Sequence, residues 1–244
     1  MKHLLFWLAP GWLLLAGCRQ GEPEALPALT GHYLLGDVVV TAPIVMYTRG
    51  GPINNPGLID RFLARRKLTP SAFSHTDVPV PPTVPFTLRM EANQQAQWIV
   101  PAPGGRDTVR LDVLFQRPNY VVLARRDSLT DGYGSSNGVY TPSRCETLGP
   151  QMEVENQVKR CRTTYSAAGI AVRCRFRPRF VVKITGGHLS VPQLSWALSA
   201  NLAGSGCETG TSNAWNLFNP GVVAQLTAGD TVVVQERSIA LVKQ

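Results

Sequence analysis

Thr108-Val109-Arg110-Leu111-Asp112-Val113-Leu114-Phe115 alternates apolar and polar side chains, the period of a strand with one face in a core and the other in water. The spacing turns Val109, Leu111, Val113 and Phe115 inward. Residues 85–92, 97–101 and 120–125 read as neighbouring strands. The breaks between them are Asn93-Gln94-Gln95, Pro103-Gly104-Gly105 and Arg117-Pro118-Asn119. Short polar breaks of this kind connect hairpins, so 85–125 is an antiparallel meander.

The same pattern extends outward. Residues 33–47 (YLLGDVVVTAPIVMY) are apolar and β-branched, with a bulge expected at Thr41-Ala42-Pro43. One short helix follows, near 56–67. Asn55 caps it, Pro56 suits its first position, and Leu58, Ile59, Phe62 and Leu63 form its apolar stripe. Arg65-Arg66-Lys67 then sit at the negative end of the helix dipole. Prolines at 70, 79, 81 and 82 keep 69–83 from regular structure. Downstream, 158–165 and 170–176 form a hairpin around Ser166-Ala167-Ala168-Gly169, and 180–184 turns into 189–198 at Gly186-Gly187. A last hairpin joins 222–227 to 231–242. Residues 127–150 and 203–221 read as long loops, the first being the natural sub-boundary within one β-rich domain, 30–244. About ten strands and one helix make a mainly β fold, an antiparallel meander closed as a barrel or stacked as a sandwich. Closure would remove exposed strand edges.

At the amino terminus, Lys2 precedes an apolar run, Leu4 to Leu15, and small residues lead to a single cysteine. That is the order of a secretory signal occupying residues 1–17. The run is shorter than the roughly 20 residues of a spanning helix, and Pro10-Gly11 interrupt it. Leu15-Ala16-Gly17-Cys18 resembles the lipobox of bacterial lipoproteins. The resemblance implies that the chain is cut before Cys18, whose thiol is diacylated and serves as a membrane anchor. Arg19 in place of the Asp common in inner-membrane lipoproteins points to the outer membrane, on its periplasmic or surface face. Residues 18–29, with Glu22, Pro23, Glu24 and Pro27, then read as the lipidated cysteine and a flexible tether. Each buried methylene of an acyl chain contributes about 0.8 kcal/mol, so two or three chains hold firmly.

The remaining cysteines number four, an even set that suits an oxidising compartment. A turn centred between Ala167 and Ala168 places Cys161 opposite Cys174, within disulfide reach. Cys145 is then left to pair with Cys207. A zinc site is the lesser reading, since no Cys-x-x-Cys spacing occurs. The formal charge is +8, and only Lys2 is lost with the leader. Such a balance favours anionic lipid or lipopolysaccharide as partner, while export argues against nucleic acid.

The cysteine hairpin has a second property. With Cys161, Thr163, Tyr165, Val172, Cys174 and Phe176 on one face, Arg160, Arg162, Arg173, Arg175 and Arg177 share the other. Arg162 faces Arg173 and Arg160 faces Arg175, and like charges directly opposed destabilise a hairpin. These five arginines are the candidate anion site, since a guanidinium fork grips phosphate oxygens in pairs. The alternative is a solvated face neutralised by Glu146, Glu153 and Glu155.

Catalytic signals are sparse. His32, His75 and His188 fall in unrelated settings, and no His-Glu-x-x-His helix occurs. Asp127 and Asp131 fit no calcium-loop spacing. No catalytic residue, metal or cofactor is assigned beyond the lipid on Cys18. Trp98 and Trp196 read as core, whereas Trp215 is either a contact residue or a plug at one barrel end.

Gly31-His32-Tyr33 is similar to the Gly-x-Trp that opens the first strand of lipocalins, with tyrosine for tryptophan. Asn119-Tyr120-Val-Val-Leu-Ala-Arg125 resembles the later lipocalin strand whose arginine closes the barrel bottom. A helix after the first strand and more than a hundred residues after Arg125 depart from that family. The expectation is a lipid-anchored envelope lipoprotein with a binding or structural role, its ligand a hydrophobic or amphipathic molecule held among the strands or an anionic envelope component. The competing class is a secreted hydrolase acting on envelope or nutrient polymers.

Overall fold

The computed structural model describes residues 29–40, 42–65, 73–75, 86–135, 143–155, 159–166, 169–202 and 205–244. The leader, Cys18, nearly all of the tether and most of the proline-rich segment lie outside them. Fourteen strands are described in chain order. They are β1 (Gly31–Val40), β2 (Val45–Thr48), β3 (Gly51–Ile53), β4 (Thr87–Met90), β5 (Gln95–Ala102), β6 (Gly105–Gln116) and β7 (Tyr120–Arg125). After these come β8 (Leu129–Ser135), β9 (Arg160–Ser166), β10 (Gly169–Phe176), β11 (Arg179–Thr185), β12 (His188–Leu202), β13 (Ser205–Ala214) and β14 (Thr231–Lys243). Helix α1 (Pro56–Arg65) follows β3, and α2 (Arg144–Leu148) follows β8.

Eight strands, β1, β4, β5, β6, β7, β11, β12 and β14, form a closed antiparallel barrel. Each pairs with the next in chain order, and β14 returns to β1, so the barrel is up-and-down with insertions. Its interior is filled by Leu88, Leu111, Leu123, Val182, Val191 and Ile239, all essentially inaccessible. Val109, Leu111 and Val113 of β6 belong to this core as their alternation requires. Phe115 does not. Leu114 is an extra residue between the pairs Val113–Leu123 and Phe115–Val122, and such a bulge reverses the pleat. Phe115 therefore lies on the outer face, edge-on to Tyr120.

One end of the barrel is plugged by aromatics. Trp215 stacks on Phe86 at 4.6 Å and meets Trp98 edge-on at 4.1 Å, and Phe180 closes on Trp98 at 4.2 Å. Tyr33 points into the core and donates its hydroxyl to Leu29 O at 3.0 Å. At the end of β7, Arg125 keeps its Nε buried without a hydrogen-bond partner.

Strands β12 and β14 outrun the barrel. Beyond it they are flanked by β13, β2 and β3, giving an extension ordered β3-β2-β14-β12-β13. β2 continues β1 along the same edge of β14 after a jog at 41–44. The expected bulge falls there, although Thr41 itself is not described. Alternation along β12 and β14 gives this extension two apolar faces. Ala197 and Val233 face Ile59 and Leu63 of α1. Leu194, Trp196, Leu198 and Val232 face Leu148 and Met152, together with Val222 and Leu226. Asn55 Oδ1 accepts from Leu58 N (3.1 Å), so α1 is capped as its sequence requires. The described helix ends at Arg65, and Leu58 lies outside its buried stripe.

Two expected loops are structured. Residues 127–150 contain β8 and α2, and 203–221 contain all of β13. The last hairpin is also different, since Pro220–Gln225 is a 3-10 turn rather than a strand. Val222 is buried from that turn, which accounts for its apolar character without a strand. Strands β8, β10 and β9 make a separate three-stranded sheet inserted between β7 and β11.

Candidate functional site

The inserted sheet carries the candidate residues. β9 and β10 pair with Cys161 opposite Cys174, Arg162 opposite Arg173 and Arg160 opposite Arg175, the register set by the Ser166–Gly169 turn. A disulfide joins Cys161 to Cys174, and a second joins Cys145 of α2 to Cys207 of β13.

Arg160, Arg162, Arg173 and Arg175 are all exposed. Across β10, β8 places Thr130 opposite Arg175 and Gly132 opposite Arg173, so the neighbouring strand adds no acid to this face. The three glutamates expected to neutralise it are engaged elsewhere. Glu146 accepts from Ser143 N at 2.6 Å in the capping box of α2. Glu153 is held by Asn216 Nδ2 at 2.9 Å, and Glu155 accepts from Tyr120 Oη and from Arg179, both at 3.4 Å. Among the described residues no carboxylate pairs with any of the four arginines. Arg177 stands apart from them. Its guanidinium donates to Arg125 O and forms an ion pair with Asp112, which Arg126 also binds. Burial of Asp112 opposes ionisation, but these two cations outweigh it and hold the carboxyl below its ordinary range.

The opposite face of the hairpin borders a cleft of about 860 Å³. Thr163, Val172 and the Cys161–Cys174 disulfide line one side, and 207–211 of β13, with Cys145 bonded to Cys207, the other. Trp196 and Glu153 contribute to its walls. Burial pushes the Glu153 carboxyl above its usual pKa, and the Asn216 amide offsets that only in part. The indole nitrogen of Trp196 is buried and closes no hydrogen bond of good geometry, although it faces Glu153. Asn216, itself buried, ties this wall together by donating to Glu155 O and accepting from Glu155 N.

The histidines are dispersed. His75 meets Asp60 at 2.8 Å on the outside of α1, His32 is exposed on β1, and His188 is exposed at the start of β12. None lines the cleft. Asp131 is bound to Lys159 Nζ at 3.0 Å. Among the described residues no three His, Cys, Asp or Glu side chains converge closely enough to hold a metal ion. The sequence reading had overlooked β13 and α2, which build one side of the cleft. Ser143-Arg-Cys-Glu146 is a capping-box signature that marks α2, whereas the polar run SGCETGTSNA of β13 has no comparable signal.

No protein-family model, characterised protein or solved structure matches this chain.

Proposed function

We propose that the chain is an exported, lipid-anchored protein of the cell envelope and a binding module for anionic phosphate groups of lipid or lipopolysaccharide. The observation that carries this reading is the set of four exposed arginines, stacked in two opposed pairs with no carboxylate among them. Opposed like charges cost stability that an anion between them restores. Tyr165, beside the hairpin turn, is 79 % exposed, and an amphipathic ring suits the headgroup level of a bilayer. Anchoring at Cys18 would hold the hairpin near phosphates at high effective concentration. Two disulfides agree with an oxidising compartment.

An unacylated Cys18→Ser chain isolates the arginine contribution. Each cation near an anionic surface contributes about 1 kcal/mol, so adding Arg162→Gln and Arg173→Gln should weaken binding to anionic vesicles about thirtyfold. Binding to neutral vesicles should stay negligible. Unchanged affinity in co-sedimentation would remove the arginine face from the function. For the anchor, cells given labelled palmitate should label the parent chain and not Cys18→Ser, and the variant should leave the membrane fraction. An unlabelled parent chain would end the lipoprotein reading.

A further inference from the structure

The two sides of the cleft are built differently. β9 and β10 contribute alternate residues, Cys161 and Thr163 with Val172 and Cys174, so they present one face. β13 contributes five consecutive residues, Cys207, Glu208, Thr209, Gly210 and Thr211. Consecutive lining residues mean that β13 meets the cleft edge-on. Among the described residues, β13 is also the outermost strand of its sheet and pairs with β12 alone. Its second edge, a row of backbone N–H and C=O groups, therefore borders the cleft.

Strand edges in folded proteins are usually guarded by lysine, proline or a bulge. Residues 205–214 contain neither lysine nor proline, and the irregularity at 212–213 lies beyond the cleft residues. The two sides are fixed instead, with Cys207 bonded to Cys145 of α2 and Cys161 to Cys174. An edge held open in this way is preorganised for a partner. Its volume of about 860 Å³ lies within the range of binding clefts.

We propose that the cleft binds an extended peptide segment that adds to the free edge of β13 as a further strand. The peptide is basic. Among the described residues, Glu146, Glu153 and Glu208 line the cleft with one cation, Lys159, and that ammonium is bound to Asp131. The hairpin thus has arginines on its outer face and borders an acidic cleft on its inner one. This site is independent of the phosphate reading, because it uses none of the four arginines.

The test uses the full chain in non-ionic detergent with its disulfides intact. Its probes are a synthetic Lys-Val-Lys-Thr-Lys-Val peptide and a copy with Glu for Lys. The basic peptide should bind at least tenfold more tightly by titration calorimetry. At saturation it should slow amide exchange within 207–211 at least tenfold. N-methylation of alternate peptide nitrogens, in one of its two registers, should abolish binding. Glu208→Lys, at an exposed position, should weaken the basic peptide tenfold or more while vesicle binding is unchanged. The proposal fails if neither peptide protects 207–211, or if both N-methylated registers bind normally. It fails equally if this edge pairs with a second copy of the chain instead.

Discussion

A chain carrying Cys145→Ser and Cys207→Ser is expected to unfold about 4 kcal/mol more easily than the parent, read as a lower urea midpoint with a steeper slope, because the unfolded chain without the bond is more expanded. The bond spans 62 residues, and closing a loop of that length removes about this much chain entropy from the unfolded state. The native cost points the same way. Cys145 is buried beside Leu148 and Met152 over the extension, and Cys207 secures β13, whose other long edge has no strand beside it among the described residues. A loss under 1 kcal/mol would mean that α2 and β13 are held by packing alone. The shorter bond, spanning 13 residues, has less to lose by the same argument.

Asp230→Ala should cost about 3 kcal/mol, the low end for breaking a buried ion pair by removing one partner. Asp230 is fully buried, and its Oδ2 accepts from Arg144 Nε (2.8 Å), Thr227 N (2.8 Å) and Thr227 Oγ1 (2.9 Å). Arg144 also reaches Gln225 O, so the pair ties α2 to the turn before β14. Burial alone would raise the Asp230 pKa, yet Arg144 and Thr227 outweigh it and the carboxyl is held below its ordinary value. A depressed carboxylate contributes stability above its unfolded pKa, near 4, and loses it as pH falls through the folded value. Urea midpoints of the parent should therefore fall between about pH 5 and pH 2, Asp112 adding to the same slope. Asp230→Asn should flatten part of that fall. Glu153 works in the opposite sense. Its raised carboxyl favours the fold while protonated and weakens it as pH rises through the folded value.

What could be read from the sequence follows the range of the interactions involved. The cysteine hairpin was legible because its turn and register are local, and one turn position fixes the pairs Cys161–Cys174, Arg162–Arg173 and Arg160–Arg175. Gly186-Gly187 was legible for the same reason, since both glycines take positive φ in a two-residue turn. β13 was not, because its residues leave one edge on a polar cleft and keep little apolar pattern. Phe115 was misplaced by a single bulged residue that periodicity does not register. Val222 was apolar for burial in a turn rather than for a strand. The cleft itself joins segments some fifty residues apart in sequence, such as 161–163 and 207–211, and no local pattern announces it.

β12 and β14 carry one further consequence. They lie side by side from Leu189–Leu241 to Ser199–Thr231 without interruption, serving the barrel at one end and the extension at the other. Cooperative units tend to follow contiguous ladders of this kind. The molecule has separate apolar cores and yet no seam between them, because a fracture anywhere across it must cut the same two strands. The barrel and one wall of the cleft thus hang on a single continuous strand, β12.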